Sequence, residues 1–164
     1  MPTLVSDSFV EAHLRSFLPV ARREVGNATV RRGVTFGIPA DAGRRSALAK
    51  LLASEMGESD VILAYEEWNV WPSSEMMDLF LRVRRSEGIT STLQDADAEL
   101  IAVSEVSYLE CVCACGLYFS WDFALISPSL RTVVFASHDE ALSVFCDGPN
   151  AVTFMEGLRT FFAP

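Results

Sequence analysis

The sequence has few positive charges and no long apolar run, and these two shortages exclude whole classes of protein. Its 13 Lys and Arg residues are outnumbered by 22 Asp and Glu residues, which gives a formal net charge of -9. Nucleic-acid binding depends on clustered cations that neutralise phosphates, so we expect no nucleic-acid partner. The most apolar stretch, Val112 to Trp121, is bounded by Glu110 and Asp122. Since a membrane span requires roughly 20 apolar residues, we expect no membrane partner either.

Motifs for metals and other cofactors are also missing. Cys111, Cys113 and Cys115 alternate in sequence, whereas common zinc sites use C-x-x-C pairs. If these three cysteines lie on a helix, Cys113 points away from the other two, so a set completed by Cys146 or His138 is a poor metal site. Small buried thiols are the simpler explanation. The sequence contains no glycine-rich phosphate loop or dinucleotide fingerprint, and we expect neither a metal nor another cofactor.

The size and composition predict one globular domain over residues 1–164. Hydrophobic residues make up 50% of the chain and charged residues 21%, which argues against disorder. The N-terminus lacks a basic segment followed by an apolar core, so the sequence predicts no signal peptide and a cytoplasmic location. The first 50 residues carry four more cations than acids, whereas residues 51–164 carry thirteen more acids than cations. This acidic part favours a basic protein partner.

Hydrophobic periodicity predicts an α/β fold, with α+β as the alternative arrangement. The unbroken apolar run from Val61 to Tyr65 is typical of a strand buried on both faces. The pattern over 74–86 predicts an amphipathic helix, and Asp41 is placed to cap a helix that ends near Met56. We expect a mixed sheet of about four to five strands packed against helices. The other predicted elements are helices over about 9–17, 104–119, 137–145 and 151–162, and strands over 29–38, 99–103, 121–127 and 131–136.

The segment that follows the Val61–Tyr65 strand is the leading candidate for a functional surface. It contains two carboxylates and two indoles, followed by an acid in the first turn of the next helix. Loops after buried strands commonly carry binding residues, and tryptophan is enriched at interface hot spots. The predicted partner-binding residues are therefore Glu66, Glu67, Trp68, Trp71 and Glu75, with Asp122 and Asp139 as additions from elsewhere in the chain.

Two other functions remain open from the sequence. Glu66 or Glu67, beside an indole, would have a raised pKa and serve as the general acid or base of a small hydrolase or transferase. His138 follows Ser137 in a capping-box pattern, and the acids next to it in sequence would not face it on a helix. The apolar tail from Leu158 to Pro164 favours instead an oligomerisation or structural module, which leaves a homo-oligomer open.

Three short motifs carry a resemblance to known proteins. They are Glu67-Trp-Asn-Val-Trp-Pro-Ser-Ser-Glu75, Trp121-Asp122 and Ser137-His-Asp-Glu140. The combination resembles a pattern in uncharacterised bacterial proteins of similar size. Small acidic bacterial proteins of this type include immunity proteins that neutralise toxins. The resemblance and the charge together predict a non-enzymatic, acidic protein-binding module, in its most specific form an inhibitor or immunity protein for a basic toxin or enzyme.

Overall fold

A sheet of seven antiparallel strands forms the centre of the protein in a computed structural model, which describes residues 2–5, 33–65, 74–90, 98–146, 148 and 150–163. The strands are β1 (Thr3–Val5), β2 (Gly33–Gly37), β3 (Val61–Tyr65), β4 (Ala98–Ile101), β5 (Phe123–Ser127), β6 (Thr132–Ser137) and β7 (Ala141–Cys146). Their order is β1-β4-β3-β5-β6-β7-β2, with β5 in the middle.

Helices connect and cover these strands. They are α1 (Ala42–Met56), α2 (Ser74–Ser86), α3 (Val106–Tyr118) and α4 (Ala151–Phe162), and a 3-10 turn at Val103–Glu105 leads into α3. The predicted cap of α1 is confirmed, since the Asp41 carboxylate accepts a hydrogen bond from the Arg44 backbone N–H at 2.8 Å. In the described part of the chain, no helix combines the length and apolar character needed to cross a bilayer.

The central strands bury apolar side chains on both faces of the sheet. Leu63 and Leu125 belong to the main core with α1 and α3, whereas Ile62 and Ile126 belong to a second cluster on the opposite face. Successive residues of a strand point to opposite faces, so an unbroken apolar run is the pattern that such a position requires. Burying each of these side chains stabilises the fold by about 1.5–3 kcal/mol.

The predicted fold class is confirmed, and the antiparallel pairing makes it the α+β arrangement. The sheet has more strands than the four to five we expected. β1 is only three residues long, and β7 falls where we predicted a helix. β3 and α2 begin and end at the predicted residues, while α1 and α4 agree closely with prediction. The predicted helix over 9–17 lies outside the described residues.

The helix predicted over 137–145 is wrong. β6 continues to Ser137 and β7 starts at Ala141, so the three residues between them form the loop of a hairpin. The Glu140 backbone N–H donates to the Ser137 carbonyl at 3.0 Å, and Glu140 has a φ of 57°. A left-handed residue at the end of a three-residue loop is a usual way to turn a hairpin.

The helix predicted over 104–119 is α3, which begins at Val106 after the 3-10 turn. Ser104 lies inside the 3-10 turn, and the preceding Val103 backbone N–H donates to the Asp60 carboxylate at 3.3 Å. The Glu105 carboxylate accepts from the Ala102 backbone N–H at 3.0 Å. Two carboxylates thus satisfy backbone donors at the start of α3, which is how acids stabilise helix starts generally.

The C-terminal helix uses its apolar residues inside the chain. Leu158 is fully buried, and the Phe162 ring stacks on Phe36 of β2 with ring centroids 4.6 Å apart. The Arg44 guanidinium lies 5.4 Å from the centre of the Phe161 ring and donates to the Phe161 carbonyl at 2.8 Å. Leu158, Phe161 and Phe162 therefore make contacts within the chain, and the predicted oligomerisation module stays a prediction.

A buried ion pair joins α2 to the sheet. The Arg84 guanidinium Nε lies 2.8 Å from Glu99 Oε1, and both side chains have no exposed surface. The Tyr108 hydroxyl donates to the other carboxylate oxygen, Glu99 Oε2, at 2.6 Å. Burial, together with the charge of Glu99, raises the pKa of Tyr108 far above its ordinary value, so the hydroxyl keeps its proton and remains a donor.

Candidate functional site

The described residues include only part of the predicted binding surface. Glu66, Glu67, Trp68 and Trp71 lie outside them, and Glu75 is placed by its backbone in the first turn of α2. The remaining two predicted residues, Asp122 and Asp139, lie at the end of the sheet where β3 ends. β3 finishes at Tyr65, which pairs with Phe123 at the start of β5. The chain therefore enters the acidic, tryptophan-containing segment from the position next to Asp122.

Asp122 faces the protein and not the solvent. Its residue is 8% exposed, and its Oδ1 accepts the His138 backbone N–H at 2.5 Å. The other oxygen, Oδ2, lies 2.8 Å from Nδ1 of the His138 ring. Asp122 can therefore influence a partner-binding surface only through its contacts with His138.

This contact determines what the His138 ring can do. An ionised carboxylate only accepts hydrogen bonds. In a neutral imidazole, Nδ1 therefore carries the proton and donates a hydrogen bond to Asp122. The other nitrogen, Nε2, is then the one that accepts hydrogen bonds. Nε2 lies 3.6 Å from Asp139 Oδ1, and the His138 side chain is 36% exposed. A histidine held in one tautomer by a buried carboxylate is equipped to accept a proton.

The turn after β6 brings two carboxylates to the surface. The Asp139 side chain is 81% exposed and that of Glu140 is 54% exposed. The turn is held by its own backbone bond and by Ile38, whose N–H donates to the Glu140 carbonyl at 2.7 Å. The backbone that carries these two acids is therefore held by the sheet.

A single arginine ties this turn to the end of α3. Arg45 is buried and donates to four oxygens: the carbonyls of Pro39 at 2.6 Å, Leu117 at 2.8 Å and Tyr118 at 3.1 Å, and Glu140 Oε1 at 2.6 Å. Helix C-termini leave carbonyls without intrahelical partners, and the planar guanidinium satisfies two of them here. The Tyr118 carbonyl and the Glu140 carboxylate consequently accept hydrogen bonds from the same guanidinium group.

Aromatic residues lie at the end of α3, which Arg45 joins to this turn. Tyr118 is 55% exposed, and its ring meets Phe119 edge-on with centroids 5.1 Å apart. Phe119 in turn contacts Trp121, with centroids 5.2 Å apart. We use the term acidic end for the group formed by Tyr118, His138, Asp139 and Glu140. It combines an exposed aromatic ring with fixed negative charge.

A second cluster of reactive side chains lies on α3. Cys113 is fully buried, while Cys111 and Cys115 are half-buried. The hydrogen bond from Cys115 lowers the pKa of Cys111 to about 7, although burial and two nearby acids oppose the shift. In the described part of the chain, no group of three or more His, Cys, Asp or Glu residues has the arrangement of a metal site.

Sequence reasoning missed His138 and Arg45 as members of the site. His138 seemed to have no partner because its neighbours in sequence were expected to share a helix with it. Its partner Asp122 is 16 residues away and is reached only through the β5–β6 pairing. The Trp121-Asp122 and Ser137-His-Asp-Glu motifs come together at this pairing, and that was the only signal available in the sequence.

Comparison with known proteins adds no homology to this geometry. No family model matches the chain, and searches of curated proteins and of solved structures gave no match.

Proposed function

We propose that the protein is a non-enzymatic binding module that captures a basic protein partner through the acidic end and the adjoining segment 66–73. The observation that carries the proposal is the pair of exposed acids, Asp139 and Glu140, on a turn that Arg45 joins to the backbone of the exposed residue Tyr118. Carboxylates attract a basic partner over distance, and a large aromatic ring supplies contact area once the partner has docked.

Three further features support this proposal. The acidic, tryptophan-containing segment begins directly after Tyr65, at the same end of the sheet. Arg45 holds the Glu140 carboxylate, and backbone bonds hold the turn that carries Asp139, which lowers the entropy lost on association. The net charge of -9 favours cationic partners over anionic ones. An inhibitor or immunity protein for a basic toxin or enzyme is the specific form of this function.

Single substitutions at the surface test the proposal. We expect Tyr118→Ala to weaken partner capture by roughly thirtyfold, because losing an aromatic hot spot costs about 2 kcal/mol. Asp139→Lys should slow association and remove much of its salt dependence. If the segment 66–73 belongs to the surface, Trp71→Ala should have the effect of Tyr118→Ala, and Glu67→Lys should have the effect of Asp139→Lys. The measurement is pull-down from a cell lysate at low and high salt, followed by binding kinetics with the captured protein.

A charge-matched control separates this surface from general acidity. Glu156→Lys makes the same charge change at an exposed position of α4 and should leave capture unchanged. A captured protein that binds all variants equally, or one that Glu156→Lys weakens as much as Asp139→Lys, would contradict the proposal. Failure to capture any protein under either salt condition would contradict it as well.

The Asp122–His138 contact favours a second function, a small hydrolase or transferase that moves a proton. In this case His138 Nε2 is the general base and Asp122 orients the ring, in place of the Glu66 or Glu67 base that the sequence suggested. We expect p-nitrophenyl acetate hydrolysis to fall at least tenfold in His138→Gln and to fall with Asp122→Asn. Hydrolysis by the unmodified protein that is no faster than buffer, or that is unchanged in His138→Gln, would rule this function out.

A further inference from the structure

β2 is an outermost strand of the sheet, and its sequence lacks the usual protection of a free edge. The sheet order ends with β1 on one side and with β2 on the other. Outermost strands expose backbone groups that can pair with another chain, and proteins usually protect them by short length, charge, proline or a bulge. β1 is only three residues long. The five residues of β2, Gly-Val-Thr-Phe-Gly, include no charge and no proline, and their register with β7 has no bulge.

The ladder with β7 shows which backbone groups of β2 point outward. The Ile38 N–H donates to the Glu140 carbonyl at 2.7 Å, so these two residues form a hydrogen-bonded pair. Hydrogen-bonded and non-hydrogen-bonded pairs alternate along an antiparallel ladder, so Phe36 and Val34 are the next residues that bond to β7. The residues between them direct their backbone groups away from β7. These outward residues are Gly33, Thr35 and Gly37.

Two of the outward residues are open to solvent. Thr35 and Gly37 are both exposed. Since glycine has no side chain, the exposed surface of Gly37 is backbone. A Cβ atom built on Gly37 would meet no atom within 4 Å, so there is also space above this end of the strand. The outer edge of β2 is therefore accessible to the backbone of a further strand.

We propose that β2 pairs with β2 of a second copy of the chain, antiparallel and about a two-fold axis at Thr35. In this register Thr35 opposes Thr35 of the second copy, and Gly33 opposes Gly37 of the second copy. Every outward N–H and C=O group of β2 then has a partner, and the two sheets join into one. A two-fold axis at Val34 or Phe36 would leave one of the outward residues unpaired.

The side chains of β2 are complementary to those of a second β2. Val34 and Phe36 pack against the main core, and in the proposed register Val34 of one copy opposes Phe36 of the other. Pairs of a β-branched and an aromatic residue stabilise antiparallel strands. On the other face Thr35 meets Thr35 of the second copy, and opposed threonines form hydrogen bonds. The half-buried ring of Phe162, which stacks on Phe36, adds apolar surface beside the pair.

The charges next to β2 also favour a second copy as the partner. Antiparallel pairing brings the start of one β2 next to the end of the other. Arg31 and Arg32 precede β2 in the sequence, and Asp41 follows it, so opposite charges meet at both ends of the joined strands. A five-residue strand buries little surface, so we expect a weak dimer that depends on protein concentration. This dimer does not rest on the proposed function of the acidic end.

Analytical ultracentrifugation of the intact protein from micromolar to millimolar concentration tests the pairing. We expect a monomer at the low end of this range and a dimer at the high end. Thr35→Lys places two ammonium groups opposite each other at the axis, and it should raise the dimer dissociation constant by roughly tenfold. The matched control is Thr153→Lys, the same change at an exposed position of α4, which should leave the dissociation constant unchanged.

Amide hydrogen exchange of the unmodified protein, followed by NMR, tests the register without any substitution. The amides of Val34 and Phe36 bond to β7 and should be protected at every concentration, whereas those of Thr35 and Gly37 should become protected only where the dimer forms. A chain that stays monomeric at millimolar concentration, a dimer that Thr35→Lys leaves as tight, or a dimer with unprotected Thr35 and Gly37 amides would overturn the proposal. Equal weakening by Thr153→Lys would overturn it as well, because overall charge would then control association.

Discussion

Arg84→Met is expected to lower the free energy of unfolding by about 3–5 kcal/mol, because it leaves the buried carboxylate of Glu99 without its cation. The Arg84 and Glu99 side chains are both fully buried, so water cannot replace the lost partner. Single-domain proteins are typically stable by only about 5–15 kcal/mol, which makes this one change a large fraction of the total. Urea unfolding followed by tryptophan fluorescence and circular dichroism measures the effect.

Two companion variants identify the origin of the loss. Tyr108→Phe removes one neutral donor from the Glu99 carboxylate and should cost about 1–3 kcal/mol. The double change Arg84→Met with Glu99→Leu removes both charges and should recover most of the stability lost in Arg84→Met. Two results would contradict this explanation: an unfolding free energy that falls by less than about 1 kcal/mol in Arg84→Met, or a double variant as unstable as the single one. Either would show that Arg84→Met does not leave Glu99 as an unpaired buried charge.

Elements specified by local chemistry could be predicted from the sequence. Asp41 begins α1 by capping it, and the helix ends at Met56 as predicted. β3 could be predicted because a strand at the centre of a sheet needs apolar residues on both faces, and Val61–Tyr65 supplies them without interruption. In each case the required residues lie within about one turn or one strand length, so the signal is contained in a short window of sequence.

The β6–β7 hairpin illustrates two local signals in conflict. Its left-handed position holds Glu140, whereas glycine or asparagine is the usual marker of such a position. Ser137 and Glu140 also match a helix-capping pattern, which pointed to the wrong element. The residues from Ala141 to Cys146 alternate between half-buried and buried, and this period of two is the signal that favours a strand. The pairing of this segment in the sheet outweighed the capping pattern, so it forms a strand and not a helix.

Three side-chain pairs of the fold and of the candidate site join residues that are far apart in sequence. Arg84 and Glu99 are 15 residues apart, Asp122 and His138 are 16 apart, and Arg45 and Glu140 are 95 apart. The Asp122–His138 pair forms only when β5 and β6 take one register, and the other two pairs form only when a helix packs against the sheet. No short window of sequence specifies either event. Glu99 did carry a usable clue, because it shares a sheet face with Ile101 and a carboxylate on a core-facing position requires a partner. Arg45 carried no comparable clue.

Arg45→Met should destabilise the protein by about 3 kcal/mol, since hydrogen bonds from a charged donor contribute about 1.5–3 kcal/mol each and do not add fully. The substitution leaves the carbonyls of Leu117 and Tyr118 at the end of α3 without this donor. Arg45→Lys should recover only part of the loss, because one ammonium cannot reproduce the planar fork that reaches four oxygens. Glu140→Gln should cost less than about 1 kcal/mol, since the carboxylate is more than half exposed and water screens its charge.

The same substitution links the fold to the proposed function. Arg45 is the contact that holds the end of α3 against the β6–β7 turn, so removing it should let Tyr118 and Glu140 move independently. Partner capture by Arg45→Met should then weaken even at temperatures where circular dichroism shows a folded protein, because order has to be restored on binding. If Arg45→Met is destabilised but still captures the partner with unchanged affinity, the role of Arg45 in stability is separate from any role in binding. In that case the arginine would serve stability alone, and the acidic end would not be the surface that the partner contacts.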